Sequence, residues 1–281
     1  MKKNLCLYCF MLLSLLCYGQ QEQLLNSLKS DVKLLLTSKT LDVRDKSLFF
    51  NGNELIVIND RKIYIFPLEG EEGSVSAGFL PENINKLEQL IYSGNNTFIK
   101  DGSSILQLQD STVNLFIKMP HNDFSIYPAN EKNFYVVIQE NNNSELFLIS
   151  TETNKSSKLL SSPEKISNVV GTDERTIVAI GNDIFLLEGK ETILIHHNET
   201  FIKSLTGSEY GLFIASEKGL SYLCLPFIII PILEENTQKV ICNNNTVIVL
   251  LEDGRLFEIN NANSFENRIR TFVNNANHGL K

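Results

Sequence analysis

Four histidines are the first candidates for acid–base or metal chemistry: His121, His196, His197 and His278. His196 and His197 are adjacent. Neighbours on a strand face opposite ways, so one metal ion cannot easily use both. The pair reads as a strand end in solvent. No HExxH, paired CxxC or GxSxG is present, which leaves zinc-hydrolase and serine-hydrolase chemistry without sequence support. No P-loop or GxGxxG follows a strand. Residues 59–62 (NDRK) and 122–128 (NDFSIYP) carry acids in turn-like settings. Such aspartates order their own backbone, and the spacing does not match an EF-hand loop. No metal and no cofactor is expected.

Of five cysteines, Cys6, Cys9 and Cys17 fall in the N-terminal leader described below, and Cys224 and Cys242 remain. Two cysteines do not make a disulfide framework. Both read as small buried apolar residues on strands, although an oxidising compartment would permit a bridge between them.

The composition limits what these groups can serve. With 281 residues, 43% hydrophobic and 21% charged, the chain is a globular protein with room for a large core. A net charge of −8 and the lack of basic runs argue against nucleic-acid binding. The absence of Trp weakens a sugar-stacking surface, although 8 Tyr could substitute. Sequons such as Asn95-Asn96-Thr97 follow from an abundance of Asn.

Residues 1–19 read as a secretory signal peptide. Lys2 and Lys3 precede an apolar stretch of about a dozen residues, too short to span a bilayer, and small side chains flank a cut after Gly19. A lipoprotein signal using Cys17 is the weaker alternative, because Leu16 stands where a small residue is wanted. Residues 20–38 follow as an amphipathic helix. Leu24, Leu25, Leu28, Val32, Leu35 and Leu36 fall at helical spacing.

From residue 47 the pattern changes to short apolar runs broken by Asn, Asp, Gly, Ser and Lys clusters. One unit recurs: a strand, a tight polar turn and a second strand. Its equivalent positions are Leu55, Phe98, Tyr135, Ile177, Leu212 and Val247, with spacings of 43, 37, 42, 35 and 35 residues. A period near 40 built from strands predicts an all-β fold, a β-propeller over residues 39–275. About six four-stranded blades are expected, with a seventh possible around 37–50. Two tandem sandwiches are the structural alternative. In the fourth unit the strands are expected at 166–170, 176–180, 183–188 and 191–196. In the sixth they are expected at 238–242, 246–251, 255–259 and 267–273.

On this frame, the residues just before each unit's second strand form a polar row at a channel mouth: Glu54, Asn96, Asn133, Arg175, Tyr210 and Asn245. The row holds one carboxylate and one base among amides. It could form a polar binding face, but it makes a poor metal cage, so a lactonase-like propeller hydrolase is a secondary reading. A glycan-binding propeller is another.

Residues 210–223 (YGLFIASEKGLSYL) resemble the repeat of the two-component-regulator propellers on the periplasmic side of bacterial sensors. Gly211, Leu212, Phe213, Gly219 and Leu220 match, with Phe213 where that family usually has Trp. The resemblance covers one blade and implies a propeller exposed to the periplasm.

Residues 223–233 (LCLPFIIIPIL) are the sharpest local anomaly. Pro226 and Pro231 rule out a transmembrane helix and interrupt ladder donation. Phe227, Ile228, Ile229 and Ile230 are candidates for an exposed apolar edge that docks a partner. The reading that follows is an exported, non-catalytic β-propeller in a Gram-negative envelope, periplasmic or secreted. It would act as a scaffold for a protein partner, with no nucleic acid and no transmembrane segment after the leader is removed.

Overall fold

The computed structural model describes residues 28, 31–36, 47–50, 54–59, 61–67, 76–93, 96–109, 112–140, 143–171, 175–189, 191–208, 211–224, 228–243, 246–260 and 262–278. They build six four-stranded antiparallel sheets. The earliest strand, β1 (Val32–Leu36), belongs to the last sheet. Blade 1 is β2 (Ser47–Phe50), β3 (Glu54–Asn59), β4 (Lys62–Pro67) and β5 (Ser76–Phe79). Blade 2 is β6 (Gln89–Ser93), β7 (Asn96–Asp101), β8 (Ser104–Gln109) and β9 (Thr112–Lys118). Blade 3 is β10 (Phe124–Asn130), β11 (Asn133–Glu140), β12 (Asn143–Ser150) and β13 (Ser156–Ser162). Blade 4 is β14 (Ile166–Gly171), β15 (Thr176–Ile180), β16 (Asp183–Glu188) and β17 (Glu191–His197). Blade 5 is β18 (Ile202–Gly207), β19 (Gly211–Ser216), β20 (Gly219–Cys224) and β21 (Ile228–Leu233). Blade 6 is β22 (Thr237–Asn243), β23 (Thr246–Leu251), β24 (Leu256–Asn260) and, at its outer edge, β1. Helix α1 (Ala262–His278) follows.

The blades form a ring because none can cover itself. A lone four-stranded sheet leaves both faces wet. Stacking each sheet on the next buries both, which explains why β15, β19 and β23 are apolar at nearly every position. β19 is buried along its whole length. Between blades 2 and 3, for example, the rings of Phe98 and Phe134 lie 4.7 Å apart, and Phe116 closes the cluster at 4.9 Å from Phe98. The first strands of the blades gather at the axis and the fourth strands form the rim. No seventh sheet occurs among the described residues.

Two expectations fail at the closure of the ring. Residues 32–36, expected in a helix, are β1, paired antiparallel with β24 from Val32↔Ile259 to Leu36↔Leu256. Helical spacing of leucines also fits a short strand. The open edge of β24 supplies ladder partners that a lone short helix cannot match. Residues 267–273, expected as the closing strand, lie in α1. With the edge already taken by β1, no ladder is left for them. Ala262, Phe265 and Ile269 fall on one helical stripe instead, all fully buried, against Phe213 and Tyr222 of blade 5, Val247 of blade 6 and Leu28. Arg268 pairs with Asp31, which ties the helix to the segment entering β1. The proposed leader, residues 1–19, lies outside the described residues.

Candidate functional site

The first strands enclose a central channel of about 600 Å³. Its wall takes residues from all six blades, among them Leu48, Gln89, Tyr127, Asn168, Ser204 and Lys239. The strands are held in place by polar groups near their starts. Gln89 accepts the amide of Ile126 in the next blade at 2.8 Å. Asn168 accepts the amide of Leu205 at 3.3 Å. The Ser204 hydroxyl donates to the carbonyl of Val240 at 3.1 Å and accepts that residue's amide at 3.2 Å. Lys239 donates to the carbonyl of Leu48 at 2.9 Å, joining the last blade to the first. These positions are equivalent: their partners on the second strands are Lys100, Ala179, Ala215 and Leu250. Each joins the inner edge of one sheet to the next, where a bare backbone group would be unsatisfied.

Lys239 differs from the rest of this ring. Burial alone lowers its pKa to about 8. Its ammonium lies 5.8 Å from the centre of the Phe49 ring, a cation–π distance. Tyr127, also on the wall, is pushed up to about 12 by burial, partly offset by a hydrogen bond with Ser125, and its hydroxyl donates to the carbonyl of Ser167 at 2.8 Å. Glu88 pairs with Lys100 beside the channel.

The expected polar row is split. Glu54, Asn96 and Asn133 begin second strands, and Arg175 immediately precedes one, all on the face of the disc where first strands end. Asn96 accepts a hydrogen bond from Gln107 at 2.8 Å, and Asn133 donates to Asn130 at 3.0 Å, so both amides serve their own blades. Arg175 is exposed. Glu54 is close enough to raise the Tyr92 phenol, second to burial as a cause. Tyr210 and Asn245 lie outside the described residues. The channel itself is lined by residues earlier in the chain, within the first strands. Their signal was a polar residue near the start of the first strand in several units, at Gln89, Asn168, Ser204 and Lys239.

On the rim, β21 is the edge strand of blade 5. Ile228 and Ile229 are exposed at 37% and 39%, whereas Ile230 turns inward to the core shared by blades 5 and 6. Phe227 lies outside the described residues. Pro231 leaves the edge short of one ladder donor.

The histidines stay apart. His197 meets Asp183 at 2.5 Å and His121 meets Glu140 at 3.1 Å, both near the surface. His196 faces the other way from His197 and is half-buried, which lowers its pKa. Among the described residues, no three His, Cys, Asp or Glu side chains gather as a metal site. Cys224 and Cys242 are thiols, not joined in a disulfide. Burial raises both, Cys242 to about 12, and Glu266 adds to that rise.

No family model and no curated protein matches the sequence. Solved structures do. The extracellular domain of a hybrid two-component system from B. thetaiotaomicron superposes with a TM-score of 0.55 at 13% identity, covering 82% of this chain and 42% of that one. Virginiamycin B lyase from Staphylococcus aureus gives 0.52 at 11% identity, over 82% and 99% of the two chains. A chain of a nidogen/laminin complex gives 0.55 at 10% identity, over 66% and 77%. The likeness is one of fold. It agrees with the bacterial propeller repeat seen in residues 210–223, and no helix among the described residues is long and apolar enough to cross a membrane.

Proposed function

We propose that this chain is an exported, non-catalytic binding module of the cell envelope that holds a protein partner at the edge of blade 5. The observation that carries this reading is β21. Two consecutive isoleucines, Ile228 and Ile229, are exposed on opposite faces of a strand whose inner edge pairs with β20 and whose outer edge is open. Exposed apolar side chains on an edge strand favour docking by strand addition or by apolar contact. Pro231 limits how far such an added strand could run, which disfavours uncontrolled self-pairing. The fold-level likeness to an extracellular bacterial domain and to a chain of a protein–protein complex supports the same class of role. Export rests on the leader composition of residues 1–19, with the mature chain beginning at Gln20.

The test is a photo-reactive residue placed at Ile228 in cells expressing the full chain. A single discrete cross-linked protein is expected, and Ile229→Asp should abolish it while the same change at exposed Leu115 on β9 should not. A cross-link that persists in Ile229→Asp, or is lost equally with Leu115→Asp, removes the reading. Intact-mass measurement of the processed protein checks the start at Gln20.

A further inference from the structure

The geometry points to a second, independent site: the central channel binds a small carboxylate with an apolar body, its anionic head on Lys239. The inference does not rest on the docking role of β21, which lies on the rim.

Three observations converge. First, the channel has the size and wall of a ligand pocket. Its volume of about 600 Å³ falls in the usual range for small-molecule sites, and most of the wall is apolar, with Leu48, Phe49, Ile126 and Val169 among it. Second, among the described residues Lys239 is the one cation on this wall, and no carboxylate stands beside it. Among the described residues the Lys239 ammonium meets the Leu48 carbonyl and the Phe49 ring, and no carboxylate. Two of its N–H bonds are left for a guest. The acid that also lines the channel, Glu88, is already paired with Lys100. Third, the charge is not needed for the structural task. At the equivalent places in blades 2, 4 and 5, the neutral side chains of Gln89, Asn168 and Ser204 join one inner strand to the next. A partly desolvated charge is a costlier choice than an amide or hydroxyl if joining strands is all it does.

The guest's chemistry follows from the wall. A charge-assisted hydrogen bond to the ammonium selects an anionic oxygen. A carboxylate suits a single lysine. A phosphate would call for more donors or a second cation than the wall offers. The aromatic and aliphatic lining then takes an apolar tail. Such an acid could be free in solution or the C-terminal end of a peptide. The shared feature is a carboxylate on an apolar group.

The experiment is calorimetric titration of the purified protein with phenylpropionate, with its neutral amide, and with a dipeptide ending in phenylalanine. The free acid should bind one to one, and the amide about tenfold weaker or worse, as loss of one buried ion pair predicts. Lys239→Met should bind acid and amide alike. Tighter binding of the dipeptide than of the free acid would identify the peptide end as the source. Because the variant alters a buried position, a second reading uses the unmodified protein: reductive methylation of Lys239, followed by peptide mass mapping, should slow in the presence of the acid. If neither acid binds, if both bind Lys239→Met as well as the parent, or if methylation of Lys239 is unaffected at saturation, the inference fails.

Discussion

Replacing Lys239 with methionine changes little in volume and removes a partly buried charge, so its effect on stability can be worked out in advance. Burial lowers the pKa of this lysine from an ordinary 10.5 to about 8. A lysine whose folded pKa lies below its unfolded one binds its proton more tightly after unfolding. The penalty for burying it is therefore fully present below about pH 8 and fades as pH rises toward 10.5. A depression of that size corresponds to about 3 kcal/mol at neutral pH, of which about 2 kcal/mol is relieved by about pH 9.5. Methionine carries no such term. It does leave the Leu48 carbonyl without its donor, a loss of about 1–3 kcal/mol that does not depend on pH. At pH 7 the two effects largely cancel, so the slope is the decisive quantity. Thermal unfolding of both proteins across this range should show the parent gaining on the variant by about 4 °C, from a sensitivity near 2 °C per kcal/mol for a chain of this size. All other titrating groups are shared and drop out of the difference. A gap between the two melting curves that stays constant with pH would mean that the ammonium is fully hydrated, and the account of Lys239 as a desolvated cation on the channel wall would fall with it.

Three further outcomes follow from the packing. Phe265→Ala should cost about 3–5 kcal/mol, because its ring is fully buried, 6.0 Å from that of Phe213 and 6.4 Å from that of Tyr222; urea titration followed by far-UV signal checks it, and a loss below about 1 kcal/mol would show that α1 does not contribute to the ring. Gly219→Ala should fold poorly, since Gly219 sits at φ +127 and an added Cβ would meet the Leu233 carbonyl oxygen at 1.9 Å, whereas Gly102→Ala, at φ +55 with open space around it, should lose only about 1–2 kcal/mol; comparison of soluble yields and melting points separates the two. Cys224 and Cys242, both raised by burial, should resist a thiol reagent at pH 8 in the folded protein and react fully in denaturant; rapid native labelling would contradict their placement.

The middle strands were legible because the physics that buries them is written locally. β15, β16 and β23 have the bounds expected from the apolar runs alone. A sheet covered on both faces needs continuous hydrophobic residues, and turns need Gly, Asn and Asp, so each blade advertises itself. The outer strands are less visible: SSKLLSS in β13 packs on one side only and reads as a loop. The closure was not legible at all. Val32 to Leu36 satisfies helical and strand periodicity equally, and its partner lies more than two hundred residues away. The resulting misreading carried over to the C-terminal end, where α1 took the place of a strand that was no longer needed. At the channel, Lys239 was not legible, because its meaning depends on the neutral groups at the same place in other blades. On the rim, the apolar run around Ile228 and Ile229 was visible in the composition, while their exposure and the inward turn of Ile230 depend on which face of β21 meets blade 6.

The pairing of β1 with β24 also sets a schedule. The segment that seals the disc leaves the ribosome before any blade exists, yet it finds its place only after the last one has formed. Until then the earliest part of the chain has an unmet edge and blade 6 has a vacant one. A nascent or shortened chain that stops short of Leu256 can stack blades but cannot lock them, so the complete protein is expected to gain its resistance to proteolysis abruptly and late.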